Sequence, residues 1–203
     1  MRQEDFFAIL VIIAINLSYT YSGPNNLHLS DGTSTAELIS GDVFFEIVEP
    51  EVLEYTYRLK PAKDFGIPFN KSIEFKHILL VPAQPRHACT DLTNIDDIEG
   101  NVAFIERGDC SFKKKTIIAE KAGARAVIIT DTNKENEEYY VEMIDDDLTT
   151  DVNIPAGFLI GRNGIMIMNQ LRRLNMKYAV INLPVNLTFT PVHKINQPPW
   201  LDW

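Results

Sequence analysis

Between Val102 and Asp131 the chain spells out a strand, a helix and a second strand, and this unit limits what the whole can become. Val102-Ala-Phe-Ile-Glu106 is an apolar run, Arg107-Gly108-Asp109-Cys110 is a turn, and Phe112 to Ala122 mixes strong helix formers with lysines. A second apolar run then leads to Thr130-Asp131. Ser111 or Asp109 can accept from the free amides of the first helical turn, and Gly123 stands where a left-handed cap needs a residue without Cβ. Phe112, Thr116, Ala119 and Ala122 share one small apolar face, which leaves Lys113, Lys114, Glu120 and Lys121 for water. Strands joined through such a helix lie parallel with a right-handed crossover. The fold class expected is therefore α/β (mixed α+β).

At 203 residues the chain is long enough for one well-buried domain and short for two. A net charge of −9 argues against nucleic acid or an anionic membrane surface as a partner. Phe6 to Leu17 is almost uniformly apolar, an about 12-residue core that is too short for a membrane span and fits a signal peptide. Residues 1–22 are read as that leader, with cleavage after Ser22, and 23–40 as a flexible linker rich in Ser, Asn, Gly and Thr. No later run approaches a membrane span in length, so the mature protein is expected to be secreted and soluble.

Secretion makes pairing the default for the two cysteines, Cys89 and Cys110, with two buried free thiols as the alternative. Asn70-Lys-Ser72 and Asn186-Leu-Thr188 are sequons, so Asn70 and Asn186 are candidate N-glycosylation sites.

Further strands are expected over Asp42–Glu49, Tyr55–Leu59, His77–Val81, Asn153–Ile160 and Tyr178–Leu183. Ala62 to Gly66, Asp91 to Gly100 and Gly161-Arg-Asn-Gly164 read as turns or loops, and 165–173 as a second amphipathic helix. The segment 131–151 carries nine acidic residues against Lys134 alone and reads as a solvated loop. Calcium is its sharper reading, but Asp145-Asp146-Asp147 lacks the alternating spacing and glycine of an EF-hand loop. Trp200 and Trp203 in the tail either dock on the domain, the favoured reading, or stand exposed as anchors for a partner.

No Gly-x-Ser-x-Gly, His-Glu-x-x-His, phosphate-binding or dinucleotide-binding motif occurs. His87 lies two residues from Cys89, but pairing with Cys110 would remove the thiol as a nucleophile. No catalytic residue, metal ligand or cofactor is expected.

Ile105-Glu-Arg-Gly-Asp-Cys-Ser-Phe112 with Lys115, Ala122-Gly-Ala124 and Ile128-Ile-Thr-Asp131 resembles the signature of the protease-associated (PA) domain family, and Ile154 to Ile160 followed by Gly164 is similar to its second signature. The resemblance covers about 40 to 190, so the domain is placed at 41–190 with a tail at 191–203. It implies a swivelling β/β/α fold, a mixed β-sheet with flanking helices in a single domain. In larger relatives such a domain is non-catalytic and recruits or gates protein substrates. The function expected is thus that of a secreted glycoprotein binding an unidentified protein or peptide. A luminal trafficking or quality-control factor is the alternative, and a hydrolase with scattered site residues a more distant one.

Overall fold

The computed structural model of the chain describes residues 41–70, 73–133, 137–146 and 149–200, all within one unit; the leader and linker expected over 1–40 lie outside them. Seven strands close into a barrel in the order β1-β2-β6-β5-β4-β3-β7. They are β1 (Val43–Glu49), β2 (Thr56–Pro61), β3 (Phe75–Pro82), β4 (Val102–Glu106), β5 (Ala126–Thr130), β6 (Ala156–Leu159) and β7 (Ala179–Leu183). Among the described residues three α-helices accompany them: α1 (Ile95–Ile98), α2 (Phe112–Lys121) and α3 (Gly161–Arg173).

The crossover unit folds as its pattern predicts, with β4 and β5 parallel from Val102 opposite Ala126 to Glu106 opposite Thr130. Every residue of both strands is buried, because each face of this sheet is covered. Val102, Phe104, Ala126 and Ile128 point into the barrel, where they join side chains from all seven strands and Ile167 and Leu171 of α3. Ala103, Ile105, Val127 and Ile129 point outward and meet Ile117, Ile118 and Ala122 of the α2 segment. The parallel run β3-β4-β5-β6 continues this arrangement. The strands β1, β2 and β7 pair antiparallel and complete the circle, β7 bonding to both β1 and β3. Outward residues of β7 are only partly buried, the alternation of a strand with one wet face.

At the start of α2 the Ser111 side chain accepts from Lys114 N at 3.2 Å. At its end Gly123 takes φ 84°, and Ala124 N donates to Ala119 O at 3.0 Å, so the last carbonyls are satisfied. Phe112 packs edge-on against Phe158 of β6, which fixes the helix to the sheet.

Four expectations are corrected. Gly161 to Gly164 is the first turn of α3, not a separate turn. A Cβ on Gly164 would lie 1.9 Å from Thr130 Oγ1, and one on Gly161 would lie 2.6 Å from Asp131 O. These glycines let α3 approach the end of β5. The loop 91–100 contains the helical turn α1. Lys113 is 5% exposed rather than wet, because Asp145 folds back over α2 and accepts from its ammonium at 2.8 Å. The acidic segment is likewise not free: Met143 is buried, and Asp131 is buried beside Arg107. The tail docks through Trp200, whose ring meets Tyr55 edge-on and whose indole N–H donates to Asn163 Oδ1 at 2.8 Å; Trp203 lies outside the described residues.

Candidate functional site

Parallel strands deliver their following loops to one end of a sheet, and in α/β proteins that end is where ligands are commonly held. Here β3, β4 and β5 bring together the Gln84–Cys89 loop, the Arg107–Cys110 turn and the start of the acidic segment. The register shows how close they come. Glu106 N donates to Arg86 O at 2.9 Å, and Arg107 N donates to Thr130 O at 2.8 Å.

The cysteines sit in this cluster and are bonded to each other, as the secretory reading predicts. Gly108 takes φ 123°, and a Cβ there would press on the His87 ring at 3.3 Å. Only glycine makes that turn against that ring. His87 Nε2 accepts from Arg86 Nε at 3.1 Å and stands 3.7 Å from Asp109.

Lys115 is the residue whose role the sequence pattern hides. It is 0% exposed, and its Nζ donates to His87 O at 2.5 Å and to Gly108 O at 2.6 Å, beside Cys89 Sγ at 3.5 Å. One ammonium thus joins both disulfide-bearing loops. Burial lowers its pKa from the usual lysine value to about 8, against the opposing pull of Asp109 and Glu106. The sequence marks Lys115 only as one position of the PA-like signature, without saying what it does. Its role follows only from where the two loops return.

The remaining charges here are paired. Arg107 Nη1 donates to Asp131 Oδ2 at 2.7 Å, and Glu106 meets Arg86 at 3.5 Å and accepts from Thr132 Oγ1 at 3.0 Å. The acidic segment is fastened from several sides. Arg162 pairs with Glu137 and Glu138, Lys63 with Glu142, and Lys113 with Asp145. Tyr140 lies beneath the Arg58 guanidinium, and burial pushes its phenol up to about 12. So fastened, the segment turns Tyr139 (66% exposed) and Ile144 (64% exposed) to solvent. Among the described residues there is no group of three or more His, Cys, Asp or Glu able to hold a metal ion. No helix among them is long and apolar enough to cross a membrane.

The two sequon asparagines lie at the other end of the barrel, where β3 begins and β7 ends. Asn70 and Asn186 are both exposed. Asn186 and Phe69, the neighbour of Asn70, line one open groove of about 260 Å³ with Val43 and Phe44. Asn186 Oδ1 accepts from Thr188 N at 3.0 Å and from Thr188 Oγ1 at 2.6 Å, so the sequon is held as a side-chain turn. Phe189 beside it is 94% exposed. A second groove of about 450 Å³ runs between the loop after β3 and the end of α3, over Met168, Leu171 and Met176 with Arg172 and Lys177 at its rim.

Residues 77–167 match the profile of a family described as the PA domain. A PRADC1-like protein of Drosophila melanogaster is 49% identical over 195 residues, which is 95% of this chain and 97% of that protein. The ER degradation-enhancing alpha-mannosidase-like protein 3 of Xenopus laevis is 33% identical over 116 residues, 55% of this chain but 13% of the relative. Among solved structures, the zinc aminopeptidase BSAP of Bacillus subtilis is similar over 70% of this chain and 29% of its own, with a TM-score of 0.46 and 21% identity.

Proposed function

This chain belongs to the PA-domain family, and we propose from that premise that it is a secreted, non-catalytic glycoprotein that binds a protein or peptide partner. The observation that carries the reading is how the groups at the carboxyl end of the parallel strands are used. The thiols are joined to each other, Lys115 is bound to two backbone carbonyls, and Asp131 and Glu106 face arginines. Such groups hold loops in place; they are not poised as nucleophile, base or metal ligand. The loop they support presents Tyr139 and Ile144, an aromatic and an aliphatic side chain of the kind that anchors protein contacts.

The test pairs the purified chain with a Tyr139→Ala/Ile144→Ala variant as baits in medium and in secretory-pathway extract. Partners retained by the native chain and lost by the variant support the reading; identical captures from both would sink it. Turnover of peptide or ester libraries by the pure protein would replace it with an enzymatic one.

A luminal trafficking or quality-control role is the second reading. It is favoured by the likeness to a relative whose name places it in ER degradation. Comparing intracellular with medium fractions separates the two, since a luminal factor accumulates inside the cell.

A further inference from the structure

The Cys89–Cys110 bridge is chemically lopsided. Lys115 Nζ lies 3.5 Å from Cys89 Sγ, whereas Cys110 directly follows Asp109, whose carboxylate is exposed. A neighbouring ammonium stabilises a thiolate and a neighbouring carboxylate disfavours one, so the two sulfurs differ as leaving groups. The backbone adds a second, independent observation. Ala88 has φ 46° and Asp109 has φ 66°, so the residue before each cysteine is a non-glycine in the left-handed region. Such conformations are sparsely populated and persist where surrounding structure imposes them. Both cysteines are partly exposed, which leaves the bridge open to approach.

We propose that this disulfide is a reducible latch with a fixed direction of opening: a thiolate attacks Cys110 Sγ, the bond between the sulfurs breaks, and its electron pair leaves on Cys89 Sγ beside the Lys115 ammonium. The product is a mixed disulfide on Cys110 and a thiolate on Cys89. No net oxidation occurs in this step, because one disulfide is exchanged for another. Attack by the Cys89 thiolate on Cys110 Sγ expels the incoming thiol and closes the latch again. Full reduction takes a second equivalent of thiol, which leaves as the external disulfide. Opening frees the Arg107–Cys110 turn from its covalent tie to the loop before it, with Lys115 still bound to His87 O and Gly108 O. Cys110 is thereby a modification site for small thiols, independent of what the domain binds.

The test uses the full secreted chain and 2-mercaptoethanol, a small monothiol that carries no charge besides that of its attacking thiolate. After brief exposure near neutral pH, free thiols are capped with maleimide in acid, and peptide mass mapping reads which cysteine carries the adduct. The expected result is the adduct on Cys110 and the maleimide on Cys89 by roughly fivefold or more, since the better-stabilised thiolate leaves faster. In Lys115→Met the ratio falls toward one. Should that variant not fold, Asp109→Asn is read instead, and the bias shrinks with Lys115 still in place. An adduct equal on both cysteines or favouring Cys89 overturns the proposal. So does a bridge that forms no adduct in excess thiol, or a bias unchanged in the folded variant.

Discussion

The two ends of the barrel are built from the same seven strands and treated oppositely. At the carboxyl end of the parallel strands, loops are tied by a disulfide, by a buried lysine reaching two carbonyls and by ion pairs set against buried groups. At the other end the 184–189 segment holds an exposed asparagine, an exposed phenylalanine and a local side-chain turn, with Val185 N donating to Phe44 O at 2.7 Å as its tie to β1. Parallel strands explain much of the difference. Each requires a crossover, so several long loops converge at one end and have buried polar groups to satisfy. The opposite end carries the 62–74 connection from β2 to β3 and the segment after β7, where Asn70 and Asn186 are exposed to water.

The comparison can be broken hardest at the junction of β5 and α3. Gly164→Ala places a methyl group within the side chain of Thr130, which cannot retreat because its strand is buried on both faces. The expected cost is about 3 kcal/mol or more, read as a large fall in Tm or as loss of folded protein. A Gly164→Ala protein of unchanged stability would show that α3 does not seat on β5 as described.

Cys110→Ser comes next. It releases a loop spanning a sequence separation of 21, and the chain-entropy account puts the loss at about 3 kcal/mol. Chemical denaturation checks it, and unchanged stability would remove the bridge from the structural account. Lys115→Met is expected to cost about 1–2 kcal/mol at neutral pH by taking the ammonium donor from His87 O and one of the two donors from Gly108 O, which also accepts from Cys110 N at 2.8 Å. Its pH dependence sharpens the test. The folded-state pKa is depressed to about 8 from 10.5, so between those values the unfolded chain binds more protons than the folded one. The lysine's charge therefore opposes folding below about pH 8, and the native protein should gain stability relative to Lys115→Met as pH rises toward 10.5. A difference in Tm that is flat or falling across that window contradicts the assignment.

The smallest effects are expected at the open end. Phe189→Ser should change stability by no more than about 0.5 kcal/mol, since its side chain is in water already. Asn186→Gln should remove one glycan-sized mass step without lowering the Tm of the deglycosylated protein. A loss of several degrees in either would mean that this end is packed more firmly than its contacts indicate.

The sequence carried the local half of this organisation. Strand-helix-strand periodicity, the Ser111 cap, the Gly123 stop and the likeness to the PA signature are all written within short windows. Barrel closure is not, because it rests on pairs such as Glu46 with Asn182, far apart in the chain and indifferent to local pattern. Gly161 and Gly164 were read as turn formers since glycine marks both turns and close approach; only the position of Thr130 distinguishes them. The acidic run reads as solvated because charge alone cannot reveal that Arg58, Lys63, Lys113 and Arg162 wait for it in space. Lys113 was read as wet for the same reason, and the role of Lys115 within the signature emerges only when two carbonyls are found around it.

Backbone hydrogen exchange of the oxidised protein tests the central claim most directly, since it reads the tie at each end residue by residue. If the carboxyl end is locked as described, the amides of Glu106 and Arg107 exchange only with the opening of β4 and β5, while those of 186–190 exchange orders of magnitude faster. Exchange of Glu106 and Arg107 as fast as that of 186–190 would contradict the account.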